Sequence, residues 1–159
     1  MEPIRILHLI THLGVGGALD NTLLTINGLA RDRYEVHLAA GELMPDDDYT
    51  DWKARAEASA DALFLFPDLC RSINPLRDLR ALRQLTDLIQ EQNYHIVHTH
   101  CAKAGILGRM AARRAGVPII IHTFHSFAWQ VAHAFYSSAW QRGLSFMKKQ
   151  LYVAMERYA

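Results

Sequence analysis

Short apolar runs that break off abruptly into polar residues recur along this chain. Ile4 to Ile10 runs into Thr11-His12-Leu13-Gly14-Val15-Gly16-Gly17, Ile96-Val97 runs into His98-Thr99-His100, and Val117-Pro118-Ile119-Ile120-Ile121 runs into His122-Thr123-Phe124-His125. Continuous apolar runs of this length read as strands buried on both faces of a parallel sheet. Two further strands are predicted over 35–40 and 62–66. Between them the period changes. Leu19, Leu23, Ile26 and Leu29 or Ala30 fall at helical spacing over 18–30, and a short helix is predicted over 49–59. Asn74-Pro75 is a helix start: Asn caps free N–H groups and Pro suits the first helical position. Leu76, Leu79, Leu82, Leu85 and Ile89 are read as that helix's buried stripe. A helix over 103–115 ends in Arg113, Arg114 and Gly116 with Pro118 beyond, which are C-terminal signals. A last helix over 139–158 carries Trp140, Leu144, Met147, Leu151, Met155 and Tyr158 on one side. Its pattern still runs at Ala159, which reads as a cut inside or just after a helix.

Strands separated by single helices predict an α/β fold. It is a Rossmann-like, doubly wound parallel sheet in a three-layer α/β/α sandwich, with strand order 3-2-1-4-5 and right-handed crossovers. Ligands of such sheets bind outside the carboxyl ends of the strands, at the switch point between strands one and four. The glycine loop, the His98–His100 pair and the His125 segment would converge there. At 159 residues, 50% apolar and 21% charged, the chain suits one soluble domain. A net charge of +1 gives no footprint for nucleic acid. Two cysteines, Cys70 and Cys101, make no disulfide framework, so a reduced, cytoplasmic setting is expected. No window approaches the roughly 20 apolar residues of a membrane span, and no secretory leader is convincing.

Each candidate group has a chemical and a plain structural reading. Gly14-x-Gly16-Gly17 lets a ligand approach the backbone, and the helix N-terminus behind it favours an anion such as a diphosphate. It also suits a tight turn. Leu19 stands where the dinucleotide fingerprint wants glycine or alanine, and no Gly-Lys-Ser/Thr follows. His98 and His100 point the same way if the strand persists. They line a polar pocket, bond to backbone, or join His122 and His125 in a zinc set, although no Asp or Glu stands at these strand ends. Lys103 meets an anion or is solvated, and Gly105 and Gly108 permit close packing or close approach of a substrate. His125-Ser126-Phe127-Ala128-Trp129 suits the apolar faces and hydroxyl edges of a sugar, or an ordinary packed loop. Asp46-Asp47-Asp48 lacks EF-hand spacing. The basic amphipathic segment with Arg142, Lys148, Lys149 and Arg157 suits an anionic membrane surface or a packed helix.

Taken in order, the Gly-x-Gly-Gly loop, Ile73-Asn74-Pro75, Ile96-Val97-His98-Thr99-His100, Lys103-Ala104-Gly105, Gly116-Val117-Pro118 and His122-Thr123-Phe124-His125 resemble the N-terminal half of bacterial GT-B retaining glycosyltransferases, the family 4-like group. The resemblance covers nearly the whole chain. It implies a two-domain enzyme whose N-terminal domain, residues 1–159 here, mainly binds the acceptor. A C-terminal domain outside these residues would bind the nucleotide-sugar donor, so this chain alone is expected to be inactive. It further implies that Gly16 and Gly17 approach the donor diphosphate, that His125 is the catalytic histidine beside the donor sugar, and that His98, His100 and Lys103 line the acceptor side. No cofactor and no metal are implied, because cationic side chains and helix dipoles neutralise the leaving diphosphate. A glycan or lipid-linked acceptor and peripheral membrane contact are the expected partners. Ser126 stands where many relatives have Gly, and Leu19-Asp20 where they often carry Ala-Glu.

Three other readings compete. A metal-dependent hydrolase would use His98, His100, His122 and His125. A non-catalytic Rossmann-like binding module would be complete as it stands. A nicotinamide dehydrogenase would place a ribose on Glu42, against an incomplete glycine pattern.

Overall fold

The computed structural model describes residues 2–14, 16–41, 49–125 and 154. The elements run β1 (Ile4–Ile10), α1 (Gly17–Asn27), β2 (Tyr34–Gly41), α2 (Tyr49–Ser59), β3 (Ala62–Phe66), α3 (Pro75–Gln92), β4 (Ile96–His100), α4 (Ala102–Arg114) and β5 (Ile119–Thr123). All five strands pair in parallel in the order β3-β2-β1-β4-β5, as the alternation of periods predicts. The helix predicted over 139–158, with its membrane reading, lies outside the described residues apart from Ala154. So do Asp46 to Asp48, Glu42 and Ser126 to Trp129.

Successive residues of a strand face opposite sides of the sheet, and the core divides accordingly. Leu7, Leu9, Ala39 and Val97 pack with Leu82, Leu85, Ile89, Leu107 and Ala111 under α3 and α4. Ile6, Ile10, Val36, Leu38 and Ala40 pack with Leu19, Leu23 and Ile26 under α1. The small residues of α4 serve this packing. A Cβ on Gly105 would lie 2.4 Å from the His122 ring, and one on Gly108 would lie 2.4 Å from Leu9 Cδ2. Close helix–sheet contact is therefore the use the fold makes of both glycines.

The helix ends follow the sequence signals. Asn74 Oδ1 accepts from the Arg77 N–H at 3.2 Å, and Pro75 opens α3. Past α4, Gly116 takes a left-handed φ of 74°, and Val117 N–H donates to Ala112 O, which satisfies terminal carbonyls of the helix.

One expectation fails within α3. The buried residues are Ala81, Leu82, Leu85, Leu88 and Ile89, whereas Leu76 is 72% and Leu79 64% exposed. At 3.6 residues per turn, Leu76 falls about 180° from Leu85, so counting back in steps of three walks off the buried face. Polar ties hold this first part of α3 instead: Arg77 and Arg80 pair with Asp68, and Asp78 with Lys103.

Candidate functional site

Where β1 and β4 lie side by side, the chain turns away to α1 on one and α4 on the other. Thr11, just past β1, ties both turns down. Its carbonyl accepts from Gly41 N–H at 3.1 Å, and its hydroxyl accepts from Ala104 N–H at 3.2 Å, capping α4. Gly16 carries φ 151° at the N-cap of α1, a conformation that favours glycine. Its carbonyl accepts from Leu19 N–H. Gly16 and Gly17 are exposed, and a Cβ added at either would meet nothing within 4 Å. Cys101, with φ 65° and ψ 165°, makes the corresponding turn from β4 into α4. Burial raises its thiol pKa, which keeps it protonated rather than a nucleophilic thiolate.

A cavity of about 730 Å³ opens at this switch point. Gly14, Gly16 and Gly17 form one side, and Thr123, Phe124 and His125 another; His12, Arg71 and Cys101 also line it. The α1 N-terminus at its edge is suited to a phosphate. Arg71, exposed in the loop between β3 and α3, brings a cation that the sequence reading did not single out.

Behind the cavity lies a group of histidines. β4 persists through His100, so His98 and His100 share a face, with ring centroids 4.2 Å apart. β1 pairs with β4 so that His8 stands directly beside His98. His8 Nδ1 is 3.1 Å from His100 Nε2, and His100 Nδ1 is 3.0 Å from His125 Nε2. His98 Nε2 lies 2.7 Å from the Thr123 hydroxyl. His8 is 1% and His100 0% exposed. Burial, reinforced by the neighbouring imidazoles, pushes the pKa of His8 down to about 3 and that of His100 to about 2. Burial lowers His98 and His125 as well. These rings are neutral at pH 7, and each offers one N–H and one lone pair. His8 was missed as a site residue because it sits inside an apolar strand run; only the register puts it beside His98.

His122 does not join this group. It leaves β5 on the α3–α4 side, where its Nδ1 lies 2.9 Å from the Thr99 hydroxyl and 3.1 Å from the Thr99 carbonyl. The set His98, His100, His122 and His125 is therefore not assembled, since one-residue alternation sends His122 through the sheet. Among the described residues, the three side chains that do come together with metal-ligand atoms are His8, His98 and His100, within 4.8 Å of one another. Such an all-imidazole set has the chemistry of a zinc ligand group. No carboxylate or thiolate belongs to it.

Lys103 turns away from the cavity. It is 7% exposed, donates to Ser72 O at 2.8 Å, and pairs with Asp78 at 2.5 Å. It thus ties α4 to the start of α3. Of the residues singled out from the sequence, Gly16, Gly17 and His125 meet at the cavity, His98 and His100 stand behind His125, and Lys103 lies beyond.

Comparison with known proteins bears on the family and the fold. The chain is 38% identical over 129 residues to the UDP-Gal:alpha-D-GlcNAc-diphosphoundecaprenol alpha-1,3-galactosyltransferase of Escherichia coli, a match covering 81% of this chain and 32% of that protein. The chain thus spans about a third of the length of the curated relative it matches. Among solved structures, the lipopolysaccharide outer core galactosyltransferase WaaB superposes with a TM-score of 0.59 at 15% identity, over 80% of this chain and 35% of that one. The UDP-GlcNAc 2-epimerase of Neisseria meningitidis superposes at 0.56 and 12% identity, over 89% of this chain and 38% of that one. At such identities the two superpositions speak for the fold alone, that of the domains of GT-B glycosyltransferases and their structural kin. The family model of the glycosyl transferase 4-like domain matches residues 16–159, and the chain belongs to that family.

Proposed function

We propose that this chain is the acceptor-side domain of a two-domain retaining glycosyltransferase. The enzyme would move a hexose from a nucleotide-sugar donor to a lipid-linked or polysaccharide acceptor of the cell envelope. The observation that carries the reading is the cavity at the β1–β4 switch point, with an open glycine loop and helix N-terminus on one side and His125 on the other. The Escherichia coli relative is named for a UDP-galactose donor and a diphosphoundecaprenol-linked acceptor, which supports the substrate classes.

In this reading Gly16 and Gly17 bring backbone N–H groups and the positive end of α1 to the donor diphosphate, where charge builds up as the glycosidic bond breaks. His125 hydrogen-bonds a hydroxyl of the donor sugar and steadies the positive charge that develops on the ring. His98 is half-buried behind it. His100 and Lys103 are buried, and the part we assign them on the acceptor side is to hold the wall: His100 through His125, and Lys103 through the 72–78 segment. No metal is required for these roles. Peripheral contact with a membrane fits a lipid-linked acceptor. The described residues suited to it are Ile73, Leu76 and Leu79, all exposed, with Arg80 and Arg83 on the same part of α3. No helix among the described residues is long and apolar enough to cross a membrane.

The test is His125→Ala in the full-length enzyme. Turnover with nucleotide sugar falls by about 10²-fold or more, while the thermal midpoint moves by only a few degrees. Turnover close to that of the unaltered enzyme overturns the role given to His125.

A further inference from the structure

Three imidazoles run in a line from the cavity into the sheet. His125 Nε2 meets His100 Nδ1 at 3.0 Å, and His100 Nε2 meets His8 Nδ1 at 3.1 Å. The ring planes of His8 and His100 lie within 14° of parallel, and those of His100 and His125 within 25°. His8 and His100 are shut off from water, so solvent cannot supply a partner to a ring nitrogen left without one, and such a loss inside a core is costly. The middle ring uses both nitrogens, one for each neighbour. A neutral imidazole has one donor and one acceptor, so the two bonds must run in the same sense.

We propose that His8 and His100 are positioning residues that fix which nitrogen of His125 carries its proton, so that the three rings change tautomer together or not at all. Only two arrangements satisfy both bonds. In one, His8 Nδ1–H donates to His100 and His100 Nδ1–H donates to His125, which leaves His125 with its proton on Nδ1. In the other, His125 Nε2–H donates to His100 and His100 Nε2–H donates to His8, which leaves His125 Nδ1 as a lone pair. Either way all three rings hold the same tautomer. For the transferase this decides whether the free nitrogen of His125 donates to the sugar or accepts from it. That consequence rests on the function proposed above; the coupling itself does not.

The coupling is read on this chain without substrate. Long-range imidazole ¹H–¹⁵N correlation spectra of the histidine-labelled protein at pH 7.5 separate protonated from unprotonated ring nitrogens. The expected result is one tautomer, the same for His8, His100 and His125. Different tautomers on any two of the three overturn the proposal with no variant needed. In His8→Asn the amide oxygen only accepts and the amide nitrogen only donates, so turning the amide over reverses the sense of both bonds; His100 and His125 should then change tautomer population together. His8→Leu checks the same point with an apolar side chain. A single unchanged tautomer of His125 in either variant, with the rest of the amide spectrum preserved, overturns the proposal. A change of His125 shifts on adding a nucleotide sugar to the full-length enzyme tests the transferase reading separately, so failure of one is not failure of the other.

Discussion

His8 and His100 show how a residue's setting can matter more than its type. Both are neutral in the fold, with pKa values of about 3 and about 2 against 6.5 for an open imidazole. The groups facing His100 that titrate are His98, His8, His125 and His122, and all of them oppose its charging. The unfolded chain takes up protons as the pH falls below 6.5, and the folded chain does not. Stability is therefore full above that pH and is lost on acidification. Each ring contributes a loss of about 1.4 kcal/mol per pH unit once the pH is well below 6.5. Denaturant midpoints should stay level from pH 7.5 to about pH 6.5 and fall from there to pH 5, and His98→Gln, which leaves both buried rings in place, should keep most of that slope. Asp68 and Glu35, held as anions by Arg80 and Arg5, are only partly buried, and ion pairs of that kind near the surface add little.

At the scale of elements, α4 and α1 use glycine for opposite ends. Gly108 meets Leu9 and Thr99 where a Cβ would stand, so Gly108→Ala should destabilise the domain by about 1–3 kcal/mol in chemical denaturation. Gly17, in the first turn of α1, has open space at the same point. Gly17→Ala should leave stability equal or raise it by up to about 1 kcal/mol, yet weaken donor binding by the full-length enzyme, because the added methyl stands where the ligand must approach. The first turns of α3 make a third case. Leu76 and Leu79 are exposed beside Arg80 and Arg83. Leu76→Glu with Leu79→Glu should reduce sedimentation of the chain with anionic phosphatidylglycerol vesicles and leave its melting unchanged. Retained sedimentation would take the lipid surface away from α3.

On the scale of the whole molecule, the site stands at the carboxyl ends of β1 and its neighbour β4, and the chain spans about a third of the relative's length. The proposed chemistry places the second half of the donor contacts outside these 159 residues. Transfer by the full-length enzyme should persist in the presence of a chelator such as EDTA, since helix N-terminus and cationic side chains carry the charge of the leaving group. Loss of transfer on chelation, restored by zinc, would assign catalysis to the His8, His98 and His100 set instead.

The alternation of periods determined the fold class and the strand order, because a parallel sheet with single-helix crossovers leaves few ways to connect five strands. The chain's punctuation likewise determined the helix ends at Asn74-Pro75 and Gly116, where local backbone chemistry decides the outcome. It also marked His98, His100 and His125 as strand-end groups. Only the tertiary structure decided which histidines meet. Side chains alternate across a strand, so a shift of one residue sends His122 to Thr99 and Gly105 while His100 stays with His125. Register between β1 and β4, which no single segment encodes, brought His8 to the group. The same holds for Lys103, whose partner Asp78 is 25 residues away, and for Leu76, whose exposure depends on where α3 leaves the sheet. Pattern within a segment is set by local chain geometry; partnership across segments is set by packing.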